Sequence, residues 1–171
     1  TGFRTQLGPT SGAMGYGVPA GVAAKLVHPD RPVLAFAGDG DFLMTGQELA
    51  TAAQYDVKVI FIVVNNGMYG TIRMHQERHY PGNVSGTQLK NPDFAALARA
   101  YGLHGEIVEK TEDFEAAFER AWSAKTAALL GLIFAGWFFG KNNAAVARNF
   151  TAPFDGVQWG WGTVQLVGVA L

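Results

Sequence analysis

Two short apolar runs, residues 32–37 and 57–64, each break off into a stretch rich in glycine and Asx residues. The first ends in Gly38-Asp39-Gly40-Asp41, the second in Asn65-Asn66-Gly67. Both runs are β-compatible. Between them Leu49, Ala52 and Ala53 recur at helical spacing, with Thr45 as the expected N-cap. A crossover of this length joins parallel strands, which then end on the same edge of one sheet. Open α/β sheets bind their ligands along that edge. Twenty-six residues, 40–65, separate Asp39 from Asn66. The pattern therefore predicts two oxygen donors on neighbouring loops, converging on one hard cation. A carboxylate, an amide oxygen, a backbone carbonyl and phosphate oxygens suit Mg2+ or Ca2+.

A plainer reading makes Asp39 and Asn66 ordinary turn residues after strands. A calcium loop built on Asp39-x-Asp41 does not fit. Leu43 and Met44 stand where a ligand and a glycine are needed, and Ala50 replaces the bidentate acid.

At 171 residues and 49% apolar content the chain can bury one real core. A net charge of −1 without a strong basic cluster gives no nucleic-acid footprint. The absence of cysteine excludes disulfides, thiolate metal sites and a cysteine nucleophile. The longest apolar stretch, 127–140, falls short of the roughly 20 residues of a spanning helix, so no membrane role is expected. The chain opens on Thr1 with no signal peptide, and is expected to be a cytoplasmic domain of a longer protein.

Along the chain, residues 18–27 read as a small-residue helix stopped before Pro29. Residues 69–90 read as a long polar segment, functional or mobile. Asn91-Pro92 predicts a helix start, with Asn91 as N-cap and Phe94, Leu97, Ala98 and Tyr101 as buried stripe; Gly102 stops it. Residues 106–109 read as a strand. Thr111 is the expected cap of a helix burying Phe114, Ala117, Phe118, Ala121 and Trp122. Residues 127–135 complete the sheet. The prediction is a doubly wound α/β domain over residues 1–135, mostly parallel, with helices on both faces. Residues 136–171 form an unassigned Trp- and Gly-rich tail. From Gly131 onward only Lys141, Arg148 and Asp155 are charged, and residues 157–164 alternate as a possible strand.

Gly38-Asp39-Gly40, two dozen residues, then Asn65-Asn66 resembles the diphosphate-anchoring motif of thiamine-diphosphate-dependent enzymes. The likeness runs over about residues 1–130, and is strongest to the acetolactate synthase and 2-oxo acid decarboxylase branch. It implies thiamine diphosphate and Mg2+ as cofactors. Asp39, the Asn66 side chain and the backbone carbonyl of Met68 would be the metal ligands. Gly38, Gly40 and Asp41 would cradle the diphosphate through their backbone, where glycine allows close approach. Gly12-Ala-Met14-Gly-Tyr-Gly17 is similar to the segment that meets the cofactor rings in that branch. By that resemblance Met14 is the apolar wedge under the cofactor's bend, and the backbone of Gly12 and Met14 meets the aminopyrimidine edge. Taken alone the segment reads more simply as a glycine-rich helix start with a core methionine. As a dinucleotide fingerprint it fails: the order is GxxGxG and no strand precedes it.

His75-Gln-Glu-Arg-His79 lacks the glutamate of a zincin helix, and reads as a solvated helix or polar lid. By position in the family, Arg73, His75 and Gln76 would face substrate. Glu48 reads as a first-turn helix acid. His28 and His104 carry no evident chemistry. The resemblance further implies a 2-oxo acid substrate, decarboxylated or carboligated. It implies a composite site completed by a pyrimidine-binding domain of the same or a partner subunit, in a homo-oligomer. No stretch here matches that second domain, so the chain alone is expected to be inactive. The alternative is a non-catalytic Mg2+- and phosphate-binding module.

Overall fold

A computed structural model describes residues 5–133 and the backbone of 165–167. The strands are β1 (Gln6–Leu7), β2 (Val33–Gly38), β3 (Ile60–Asn65), β4 (His104–Val108), β5 (Ala128–Ile133) and β6 (Gln165–Val167). The helices are α1 (Gly17–Val27), α2 (Asp39–Thr45), α3 (Leu49–Gln54), α4 (Gly70–His79), α5 (Phe94–Ala100) and α6 (Phe114–Ser123). The strands form one sheet in the order β1-β6-β2-β3-β5-β4, with every pairing parallel. This is the predicted parallel α/β sheet, with one strand contributed from beyond residue 135. The possible strand at 157–164 lies outside the described residues.

Parallel strands covered on both faces must be apolar on both faces, and β2, β3 and β5 are. Val33, Ala35 and Ala37 of β2 and Phe61 and Val63 of β3 point into one core. There they meet Val18 and Val22 of α1, Leu49 and Ala52 of α3, and Phe94 and Ala98 of α5. Leu34, Ile60, Ile62, Ala128 and Leu130 point the other way, onto Phe114, Ala117, Phe118 and Ala121 of α6. Helices therefore lie on both faces. The ring of Phe42, from α2, meets that of Phe94, from α5, edge to face at 5.3 Å, which ties the two helices together.

Several helix starts differ from those predicted. Asp39 is the first residue of α2 rather than part of a loop, because the chain turns from strand to helix at Gly38. Thr45 caps nothing with its side chain. It closes α2, a 3-10 turn over Gly46–Glu48 follows, and α3 starts at Leu49. Asn91 is not the cap of α5: Asp93 is, accepting from Ala96 N–H at 2.9 Å. Thr111 opens a 3-10 turn, Asp113 precedes α6, and Trp122 stays 38% exposed at the edge of the buried stripe. The 69–90 segment contains the ten-residue helix α4, none of whose residues is buried.

Candidate functional site

β2 and β3 run in register, with Gly38 opposite Val64, so their C-terminal tips lie side by side. Asp39 leaves the tip of β2 and Asn66 the tip of β3. Asp39 is 2% exposed. Its Oδ1 accepts from Gly40 N–H at 2.9 Å. Its Oδ2 accepts from Gly67 N–H at 2.8 Å and from Asn91 Nδ2 at 2.6 Å. The Asn66–Gly67 peptide thus closes onto Asp39. A buried carboxylate is tolerated only where donors face it, and three do here.

The loop beyond Asn66 is shaped for oxygen donors. Asn66 Oδ1 accepts from Met68 N–H at 3.1 Å, a local Asx turn, and Gly67 takes φ +70°, the left-handed region. Met68 forms an isolated antiparallel bridge with Gln88. The bridging bonds run from Tyr69 N–H to Thr87 O and from Leu89 N–H to Gly67 O, both 2.8 Å. In such a non-hydrogen-bonded pair the carbonyl of Met68 itself points away from the partner strand, on the side of its own N–H.

The sequence reading missed Asn91. Its Nδ2 bridges Asp39 Oδ2 and, at 2.8 Å, Asn65 Oδ1, while its Oδ1 is buried without a partner among the described residues. The orientation is forced, because a carboxylate can only accept. A signal existed: the apolar period of α5 starts at Phe94, so the cap immediately before it is Asp93, which frees Asn91 for other work.

The glycines behave differently from one another. A side-chain carbon on Gly38 or Gly67 would meet nothing within 4 Å, so both backbones border open space. One on Gly40 would run into the Tyr69 ring. Packing, beyond any ligand, therefore requires Gly40. Asp41 is 4% exposed, and its Oδ1 accepts from Gly15 N–H at 2.6 Å. Burial pushes its carboxyl above the ordinary aspartate range, opposed by that hydrogen bond. Gly15 brings the 12–17 segment onto α2. Met14 is 40% exposed rather than a core methionine, and Gly12 takes φ +67° on the surface.

The remaining polar candidates have local partners. His75 and His79 are exposed and stack at 6.1 Å, with His79 Nδ1 on the His75 carbonyl. Arg73 pairs with Glu77 at 2.9 Å, and Gln76 exchanges two hydrogen bonds with Ser85. Glu48 accepts from Thr51 Oγ1 at 2.6 Å, in keeping with its plain structural reading. Among the described residues no group of three or more His, Cys, Asp or Glu could hold a metal. A cation here would depend on one carboxylate plus amide and carbonyl oxygens. Among those residues, too, no helix is long and apolar enough to cross a membrane.

Residues 3–131 match the family described as thiamine pyrophosphate enzyme, C-terminal TPP binding domain. The chain belongs to that family. It is 39% identical over 116 residues to the acetolactate synthase large subunit of Haemophilus influenzae, covering 67% of this chain and 20% of that protein. It is 37% identical over 124 residues to the mitochondrial acetolactate synthase of Schizosaccharomyces pombe, covering 72% and 18%. In structure it resembles a thiamine diphosphate-dependent 4-hydroxybenzoylformate decarboxylase of Rhodococcus jostii. There the TM-score is 0.68 and the identity 39%, over 72% of this chain and 23% of that one. This TPP-binding domain thus spans about one fifth of the curated relatives it matches.

Proposed function

We propose that this domain holds the Mg2+–diphosphate end of thiamine diphosphate in an enzyme that decarboxylates or carboligates 2-oxo acids. The observation that carries the reading is the closure of Gly67 N–H onto Asp39 Oδ2 at 2.8 Å, which brings both strand tips to one point. Asp39, the Asn66 amide oxygen and the Met68 carbonyl are the donors for the cation. One carboxylate with two neutral oxygens suits Mg2+, which keeps room for phosphate oxygens and water. Gly38, Gly40 and Asp41 lie at the start of α2; the Gly40 N–H is taken by Asp39 Oδ1, and the remaining first-turn N–H groups lack backbone acceptors within the helix and can face phosphate oxygens. The open space at Gly38 and Gly67 and the unpartnered buried oxygen of Asn91 fit a site built to receive a polar group.

When bound, thiamine diphosphate supplies a thiazolium carbon that adds to the 2-oxo acid carbonyl and an electron sink for the departing carbon dioxide. The protein's own residues bind and orient. Asp39, Asn66 and Met68 fix the charged tail, and Met14 supports the rings with the backbone of Gly12. The two-ended anchoring limits rotational freedom and so favours reaction by proximity. The rest of the site comes from a pyrimidine-binding domain of the same or a partner subunit, within a cytoplasmic homo-oligomer. The isolated chain binds cofactor weakly and does not turn over.

Calorimetry with thiamine diphosphate, with and without Mg2+, tests this. Mg2+-dependent heat that disappears in Asp39→Ala is expected. No Mg2+-dependent heat in the native chain would overturn the reading.

A further inference from the structure

We propose that Asp41 and Thr45 form a two-point clip on Gly15 that positions Met14, and so sets the spacing between the ring-facing and diphosphate-facing parts of the site. The proposal rests on the reading above. Asp41 Oδ1 accepts from Gly15 N–H at 2.6 Å, and Thr45 Oγ1 donates to the Gly15 carbonyl at 2.9 Å. The two side chains are four residues apart on α2, hence on one helix face. Both backbone polar groups of Gly15 are thereby held by side chains of a single helix, 26 and 30 residues away.

The fit leaves no slack. Gly15 takes φ +89°, and a side-chain carbon there would lie 2.9 Å from Met44 Cβ and 3.0 Å from Thr45 Cγ2. Only glycine can lie this flat on the helix in that conformation. Gly15 is buried, whereas Met14 immediately before it is 40% exposed. The clip therefore grips one residue and presents its neighbour. A methionine side chain is flexible, so a methionine wedge needs its backbone fixed from outside. Here the fixing body is α2, whose first residue is Asp39. One rigid helix carries both the cation donor and the grip on the wedge segment.

This also accounts for a carboxylate where a diphosphate is to bind. Asp41 stands two residues beyond Asp39 on the same helix, and its carboxylate is bonded to Gly15. Its Oδ1 is taken by the Gly15 N–H, and its Oδ2 is buried with no partner among the described residues. Asp41 and Thr45 are positioning residues in this scheme.

The test uses the full 171-residue chain, titrated with thiamine diphosphate and separately with inorganic pyrophosphate, both with Mg2+. The ratio of the two affinities reads the ring end alone. Thr45→Val is expected to weaken thiamine diphosphate binding about fivefold, the effect of one lost hydrogen bond, with pyrophosphate binding changed less than about twofold. Thr45→Ser is expected to restore the ratio. Asp41→Asn, which keeps an acceptor for Gly15 N–H, is expected to retain it, and Asp41→Ala to lose it. Exchange of the Gly15 amide, followed by NMR, is expected to be at least tenfold faster in Asp41→Ala than in Asp41→Asn. A native chain that binds neither ligand overturns the underlying reading, and the proposal with it. A native chain that binds both equally, or a Thr45→Val chain that weakens both equally or neither, overturns the clip alone.

Discussion

The side-chain amide of Asn91 donates to Asp39 Oδ2 at 2.6 Å across 52 residues of chain, and its second contact reaches Asn65 Oδ1. The fold thereby fixes the rotamer of the carboxylate from outside both strand loops. Partners that orient a metal ligand contribute heavily to affinity. Asn91→Ala is expected to weaken Mg2+-dependent thiamine diphosphate binding about 10- to 100-fold. Asn91→Asp is expected to do worse, since it sets a second carboxylate against Asp39. Calorimetric titration of both variants against the native chain measures this.

Removing the carboxylate itself is expected to cost stability even without a cation. Asp39→Ala leaves the buried Gly40 N–H and the part-buried Gly67 N–H without their acceptor, and takes one of the two acceptors of the Asn91 amide. A loss of about 2 kcal/mol is expected in urea unfolding. An unchanged midpoint would mean that water replaces the carboxylate freely.

Gly40 sits in the first turn of α2, where alanine would ordinarily stabilise a helix by up to about 1 kcal/mol. The Tyr69 ring occupies the place of the added carbon. Gly40→Ala is therefore expected to destabilise by about 1–3 kcal/mol, as overpacking does. Adding Tyr69→Ala is expected to recover most of that loss. A thermodynamic cycle of the two substitutions reads the coupling directly.

Far from the site, Arg120 binds both oxygens of Glu106, and this hydrogen bonding holds the Glu106 carboxyl below its ordinary range, against a smaller upward push from burial. With the folded value below the unfolded one, the contribution is present above the ordinary glutamate pKa and is lost as pH falls through the depressed value. The stability gap between the native chain and Glu106→Gln is expected to be largest near neutral pH and to close in acid. Denaturant midpoints at a series of pH values check the sign.

How much of this was legible depended on the range of the contacts involved. β2 and β3 could be read because strands buried on both faces are unbroken apolar runs. Their boundaries moved only slightly: Val57 N–H returns to Ala52 O, so pairing begins later, at Ile60. Helix starts were harder. Asn91-Pro92-Asp93 offers two caps two residues apart, and the buried stripe beginning at Phe94 decides for Asp93. β6 was not legible, because three residues are too few to show a period. In the site, the closeness of Asp39 and Gly67 followed from the crossover. The contacts of Asn91, and of Asp41 and Thr45 with Gly15, span 26 to 52 residues and leave no local pattern.

Helix α4 buries none of its ten residues, and Gln76 ties it to Ser85. Melting it uncovers no fully buried side chain of its own, so the free energy of opening it is a small fraction of that for the whole domain. The amides of residues 70–79 are therefore expected to trade hydrogen for deuterium long before those of β3, whose residues Ile60 to Val64 are all buried. A short protease pulse is expected to cut here first and leave the sheet standing.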